Sequence, residues 1–98
     1  MNLLAIDQAS RVSGFAIFIE GKLTKFGKFS FDDEDFGIRL VKIRKKVQEL
    51  ITEYSIDQVI FEDIQLQDSV KNNVDTFKKL AEVRGVIHEL LTELKIPY

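Results

Sequence analysis

The sequence predicts an α/β domain built on a mixed sheet, and three features lead there. Two short apolar runs, Leu3–Ile6 and Val59–Phe61, are each followed by a carboxylate, Asp7 and Glu62. An amphipathic helical stretch lies between them, so a crossover joins the runs, and a crossover makes two strands parallel. The segment between the first run and that helix reads as an antiparallel meander.

Composition sets the outer bounds. At 98 residues the chain forms at most one domain. Its 45% apolar share is enough for a real core. A formal net charge of −2 provides no global basic field, so any nucleic-acid contact has to come from a local patch. The absence of Cys excludes disulfides and thiolate metal sites and fits a cytoplasmic home. No apolar run approaches a membrane span, and Met1 is followed at once by a strand rather than a signal peptide. Frequent Lys, Ile, Phe, Asp and Asn with a single Pro hint at an AT-rich bacterial or phage coding sequence.

Leu3–Asp7 is the first strand, continuous enough in apolar residues to lie centrally in a sheet. Gln8 to Val12 reads as a turn. Ser13–Glu20 is a second strand, rich in Phe and Ile. Glu20-Gly21-Lys22 reads as a hairpin turn. Leu23–Phe31 is a third strand, with Leu23, Lys25, Gly27 and Phe29 on one side and Thr24, Phe26, Lys28 and Ser30 on the other.

Asp32–Asp35 is a run of acids that resembles a metal site at first sight. Helix capping explains it better. Asp is a good N-cap, and acids in a first helical turn gain about 0.3–1 kcal/mol each from the helix dipole. A helix does follow: Phe36, Leu40, Ile43, Val47, Leu50, Ile51 and Tyr54 recur every three or four residues. Arg39, Lys42, Arg44, Lys45, Lys46 and Glu49 then read as its solvated face. Ser55-Ile56-Asp57 ends it, and Gln58–Glu62 is the fourth strand.

Asp63 to Asn73 is a polar loop. Asn73 or Asp75 caps a second helix running to about Leu94. Its apolar stripe, including Phe77, Leu80, Val83, Ile87 and Leu91, is wider than one packing face needs. His88 reads as a surface or interface residue. Lys95–Tyr98 leads out of the helix toward a further strand.

Asp is depleted in strands, so Asp7 is expected at the sheet edge with its side chain free. It also suits the start of a turn. If the first and fourth strands are parallel neighbours, Asp7 and Glu62 lie at the same carboxyl edge, where open α/β sheets place their ligands. Asp63 ranks below Glu62 because it points to the other face if the strand persists.

Leu4-Ala5-Ile6-Asp7-Gln8-Ala9-Ser10-Arg11-Val12-Ser13-Gly14-Phe15 resembles the first-strand motif of the RuvC-type Holliday-junction resolvases, in the ribonuclease H-like superfamily. Val59-Ile60-Phe61-Glu62 resembles the strand carrying that family's second acid. Lys71-Asn72-Asn73 and Leu80-Ala81-Glu82-Val83-Arg84-Gly85-Val86 resemble the helix after it. The order of elements also agrees: three antiparallel strands, helix, parallel strand, helix. Gln8 and Ala9 depart from the family's Pro and Gly, and Gln65, beside Leu66, stands where it has an aromatic.

The resemblance implies a ribonuclease H-like domain over residues 1–98, ending before the family's final strand and helix with their two further acids. It implies a metal-dependent endonuclease that resolves four-way or other branched DNA as a homodimer, the chain alone being weak or inactive. Asp7 and Glu62 would be the catalytic and metal-binding acids. The cofactor would be Mg2+ or Mn2+, with two ions in a complete site. Ser10, Arg11, Gln65, Leu66, Lys71 and Asn72 would contact DNA, and Phe77, Leu80, Arg84 and Ile87 would form the dimer interface. Two other readings stay open. One is a non-catalytic dimeric DNA-binding remnant. The other is a fragment of the actin-like ATPase and sugar-kinase fold, which lacks here the Gly-rich turn it uses for phosphate.

Overall fold

Four strands and two helices make up the computed structural model, which describes residues 1–9, 11–61 and 74–98. In chain order they are β1 (Asn2–Asp7), β2 (Val12–Ile19), β3 (Lys22–Ser30), α1 (Phe36–Glu53), β4 (Gln58–Phe61) and α2 (Val74–Leu94). The sheet order is β3-β2-β1-β4. β1 pairs antiparallel with β2 and parallel with β4, and β2 pairs antiparallel with β3. The mixed sheet and both helices agree with the sequence expectation.

The pleat sorts the strands into two faces. Leu4 and Ile6 of β1, Ile17 of β2, Phe29 of β3 and Val59 of β4 are buried on one of them. Ile43, Val47, Leu50 and Ile51 of α1 cover that face, together with Val83, Ile87, Leu90 and Leu91 of α2. Each such side chain contributes about 1.5–3 kcal/mol when fully buried. On the other face Leu23, Phe26 and Ile60 are exposed.

The β2–β3 hairpin turns on Glu20 and Gly21, with φ of 50° and 78°. Positive φ at both positions matches the twist of the strands it joins. The alternation expected along β3 breaks near its start. Ile17 pairs with Lys25, but Phe18 pairs with Leu23, so Thr24 is an extra residue. This bulge puts Leu23 on the same face as Phe26, opposite to the side a strict period of two assigns.

One member of the acid run starts the helix, and none of the acids lies within its first turn. Asp35 is the N-cap of α1, its carboxylate accepting from the backbone N–H of Gly37 at 2.8 Å and of Ile38 at 3.3 Å. Asp33 pairs with Lys42 at 2.8 Å, and that ammonium holds its carboxyl below the usual carboxylate range. Asp35→Ala is expected to cost about 1 kcal/mol of stability. Urea titration measures this, and an unchanged midpoint would show that the cap is dispensable.

Arg39 departs from its reading as part of a solvated face. It is 2% exposed. Its Nη1 donates to the Asp33 carbonyl at 2.9 Å, and its guanidinium lies 5.0 Å from the centre of the Phe36 ring. Its long stem fills apolar space while its head ties down the β3–α1 connection. Arg44 also does more than meet solvent, bridging the helices through Glu89 and Glu93 of α2.

Both helices end alike. Ser55 and Lys95 take positive φ of 49° and 57°. The next amide donates back to the carbonyl five residues earlier, Ile56 to Ile51 at 3.0 Å and Ile96 to Leu91 at 2.9 Å. This closure satisfies helix-end carbonyls and turns an apolar side chain inward. The chain after α2 then runs beside β4, where the Val59 amide donates to the Pro97 carbonyl at 3.0 Å.

Candidate metal and DNA-binding edge

β1 carries Asp7 to the sheet edge. Leu4 and Ile6 point into the core, so Leu3, Ala5 and Asp7 take the opposite, helix-free face. The Asp7 side chain is exposed. Its partner on β2 is Gly14, and a Cβ built there would stand 3.9 Å from the Asp7 Cβ, an ordinary contact. Glycine is therefore not needed for the protein's own packing at that point. It leaves the sheet floor bare beside the carboxylate.

The turn after Asp7 is held by a buried hydroxyl. Ser13 is 1% exposed. Its Oγ accepts from the Ala9 N–H at 3.0 Å and donates to the Ala9 carbonyl at 3.1 Å. These two bonds close the loop across four residues without a glycine, and Ala9 does not take positive φ. Gln8-Ala9 thus makes this turn by a different route from a Pro-Gly pair. Arg11 is exposed in it. Ser10 lies outside the described residues, as do Glu62, Asp63, Gln65, Leu66, Lys71 and Asn72.

On the other side of Asp7, β4 runs parallel with Leu4 opposite Val59, Ala5 opposite Ile60 and Ile6 opposite Phe61. Asp7 is the residue after Ile6, and Glu62 is the residue after Phe61. A depression of about 450 Å3 lies along this part of the sheet, with Ala5, Asp7, Gly14, Ala16 and Ile60 among its lining. Ile6, Phe15, Gly27 and Phe61 complete the lining, in which Asp7 is the one carboxylate among the described residues.

Phe61 is braced from the helix side. The Arg84 guanidinium lies 5.3 Å from the centre of its ring, and Tyr98 stacks against it at 5.6 Å. His88 meets Tyr98 edge-on at 5.0 Å. Arg84, expected at a dimer interface, is thus half-buried against its own chain. Ile87 needs a plain correction. It is fully buried in the core beneath the sheet and presents nothing to a partner. The helical stripe was wide because α2 packs on both the sheet and α1, and periodicity does not separate such a face from an interface. Phe77 and Leu80 are half-buried.

Asp7 is the donor type that a hard divalent cation takes. Among the described residues no three acidic or histidine side chains gather into a metal-binding group. No described helix is long and apolar enough to cross a membrane.

The sequence matches the family model for crossover junction endodeoxyribonuclease RuvC over residues 3–97. No curated protein matches it significantly. Among solved structures it resembles T. thermophilus RuvC in complex with a Holliday junction substrate, with a TM-score of 0.82 and 15% identity over 100% of this chain and 64% of that one. It also resembles another Thermus thermophilus RuvC structure, with a TM-score of 0.75 and 18% identity over 100% of this chain and 63% of that one. YeaZ from Pseudomonas aeruginosa follows at 0.54 and 16%, over 99% and 42% of the two chains. At such identities these likenesses carry the fold. The chain spans less than two thirds of the length of the solved chains it matches.

Proposed function

The chain belongs to the crossover junction endodeoxyribonuclease RuvC family, and from that premise we propose that it acts on branched DNA as a divalent-metal-dependent endonuclease domain. The observation supporting this reading is the parallel register that sets Ile6 opposite Phe61, each followed in sequence by an acid. If that register continued by one residue, it would set Asp7 beside Glu62. Two carboxylates so close repel each other, and a cation between them relieves the repulsion.

Asp7 and Glu62 would then hold Mg2+ or Mn2+, which supplies phosphate neutralisation and an activated water. Ser10 and Arg11 in the turn, with Gln65, Leu66, Lys71 and Asn72 after the second acid, would contact the DNA. Arg11 is the exposed cation next to the Asp7 carboxylate in the chain, suited to a backbone phosphate. A four-way junction has twofold symmetry, so a homodimer offers one site to each of two strands. Phe77 and Leu80 on α2 are its interface candidates.

The test compares a four-way junction with a linear duplex of the same sequence, in Mg2+ and in EDTA. Slow, Mg2+-dependent incision with a preference for the junction is expected of this chain, and faster incision of a full-length version. Equal handling of both substrates, or incision in EDTA, would defeat the reading. A nucleotide titration on the same protein covers the actin-like alternative, for which saturable binding would speak.

A further inference from the structure

Three strands place Asp7, Gly14 and Lys28 in one row across the sheet. Asp7 pairs with Gly14 in β1–β2, and Gly14 pairs with Lys28 in β2–β3. Residues directly opposite each other share a face, so Lys28 stands on the same helix-free face as Asp7. Adjacent strands are about 4.8 Å apart, which separates the two backbones by roughly 10 Å. Between them Gly14 has no side chain. Lys28 is exposed, and among the described residues it has no carboxylate partner.

β3 carries two other lysines, and the register separates them from this one. Lys22 pairs with Ile19 and Lys25 with Ile17. Ile17 is buried against the helices, so Lys25 belongs to that side of the sheet. Lysines on an edge strand also discourage pairing with another sheet, and Lys25 meets that need as well as Lys28 does. What sets Lys28 apart is its alignment with the carboxylate across a bare glycine.

We propose that Lys28 is a phosphate-binding residue of this site, reaching over Gly14 to the DNA backbone drawn in beside Asp7. The inference rests on the reading of the chain as a branched-DNA nuclease. The spacing of roughly 10 Å between the two backbones leaves room for one phosphate group, and the glycine floor lets it approach the sheet backbone. A flexible lysine stem makes a point-charge contact, so the residue contributes affinity and placement rather than sequence preference.

Binding of a fluorescent four-way junction, titrated against KCl without divalent cation so that nothing is cleaved, tests the proposal. Lys28→Gln is expected to weaken binding alike for junctions of different sequence. It should also make the slope of log K against log salt shallower by about 1 per bound protomer. Lys28→Arg should restore the slope, and Lys25→Gln should leave it unchanged. A Lys28→Gln slope equal to that of the unsubstituted chain, with junction binding intact, overturns the proposal and spares the nuclease reading. So does an equal loss from Lys25→Gln, which would report only general surface charge. A chain that binds no DNA overturns both.

Discussion

Asp7→Asn, made in a full-length version of the protein with the complete acid set, is expected to lower junction cleavage by about a thousandfold or more while leaving junction affinity nearly unchanged. The side chain keeps its shape and its place at the edge of β1 but loses the charge that attracts a divalent cation. Metal-assisted stabilisation of a phosphoryl transition state is worth several kcal/mol, and each 1.36 kcal/mol is a factor of ten in rate. Affinity for DNA comes mostly from phosphate contacts made by cations elsewhere, so it should survive. The fold should survive as well, because Asp7 is exposed and its Gly14 neighbour makes no tight contact with it. Single-turnover cleavage in Mg2+, equilibrium binding in EDTA and circular dichroism separate the three effects. Cleavage at the unsubstituted rate would remove Asp7 from the site.

Ile87→Ala is expected to destabilise the fold by about 2–5 kcal/mol, the range for emptying a fully buried aliphatic site. Against a total stability of about 5–15 kcal/mol, that is a large fraction of what holds the fold together. Ile87 sits at 0% exposure in the cluster joining α2 to the sheet. Leu80→Ala, two turns earlier on the same helix face and half-buried, should cost clearly less in the isolated chain. The two variants also separate core from interface. A residue that stabilises through a partner makes the unfolding midpoint rise with protein concentration in the parent, and its removal abolishes that dependence. Urea titrations at two concentrations, with light scattering, give both readings. A mild effect of Ile87→Ala beside a large, concentration-dependent effect of Leu80→Ala would contradict the burial described here.

The four strands and two helices were readable because each has the period of its type. Leu3–Ile6 and Val59–Phe61 are continuous apolar runs, and α1 and α2 repeat every three or four residues. The cap of α1 was readable as a cluster of acids, of which Asp35 takes the first free amides; for α2, Asp75 lies within the first turn and Asn73 lies outside the described residues. Asp7 was legible as a site candidate because an acid closing an apolar strand has no role in packing. Arg39 was not legible. A lone arginine in a helix looks solvated, and only the approach of Phe36 and the Asp33 carbonyl draws it inside.

The sequence by itself determined the order and type of the elements, the capped start of α1 and the family motif, and it singled out Asp7 as a candidate. These rest on local rules, on periods and capping chemistry acting within a few residues. The tertiary structure alone decided which apolar residues of α2 are core, where β3 slips by one residue at Thr24, and which of the three β3 lysines shares a row with Asp7. The physical reason is that burial and cross-strand neighbours depend on contacts between segments far apart in the chain. A one-residue change of register sends every following side chain to the opposite face, and nothing local to Lys22, Lys25 or Lys28 records which of them that register sets beside the carboxylate.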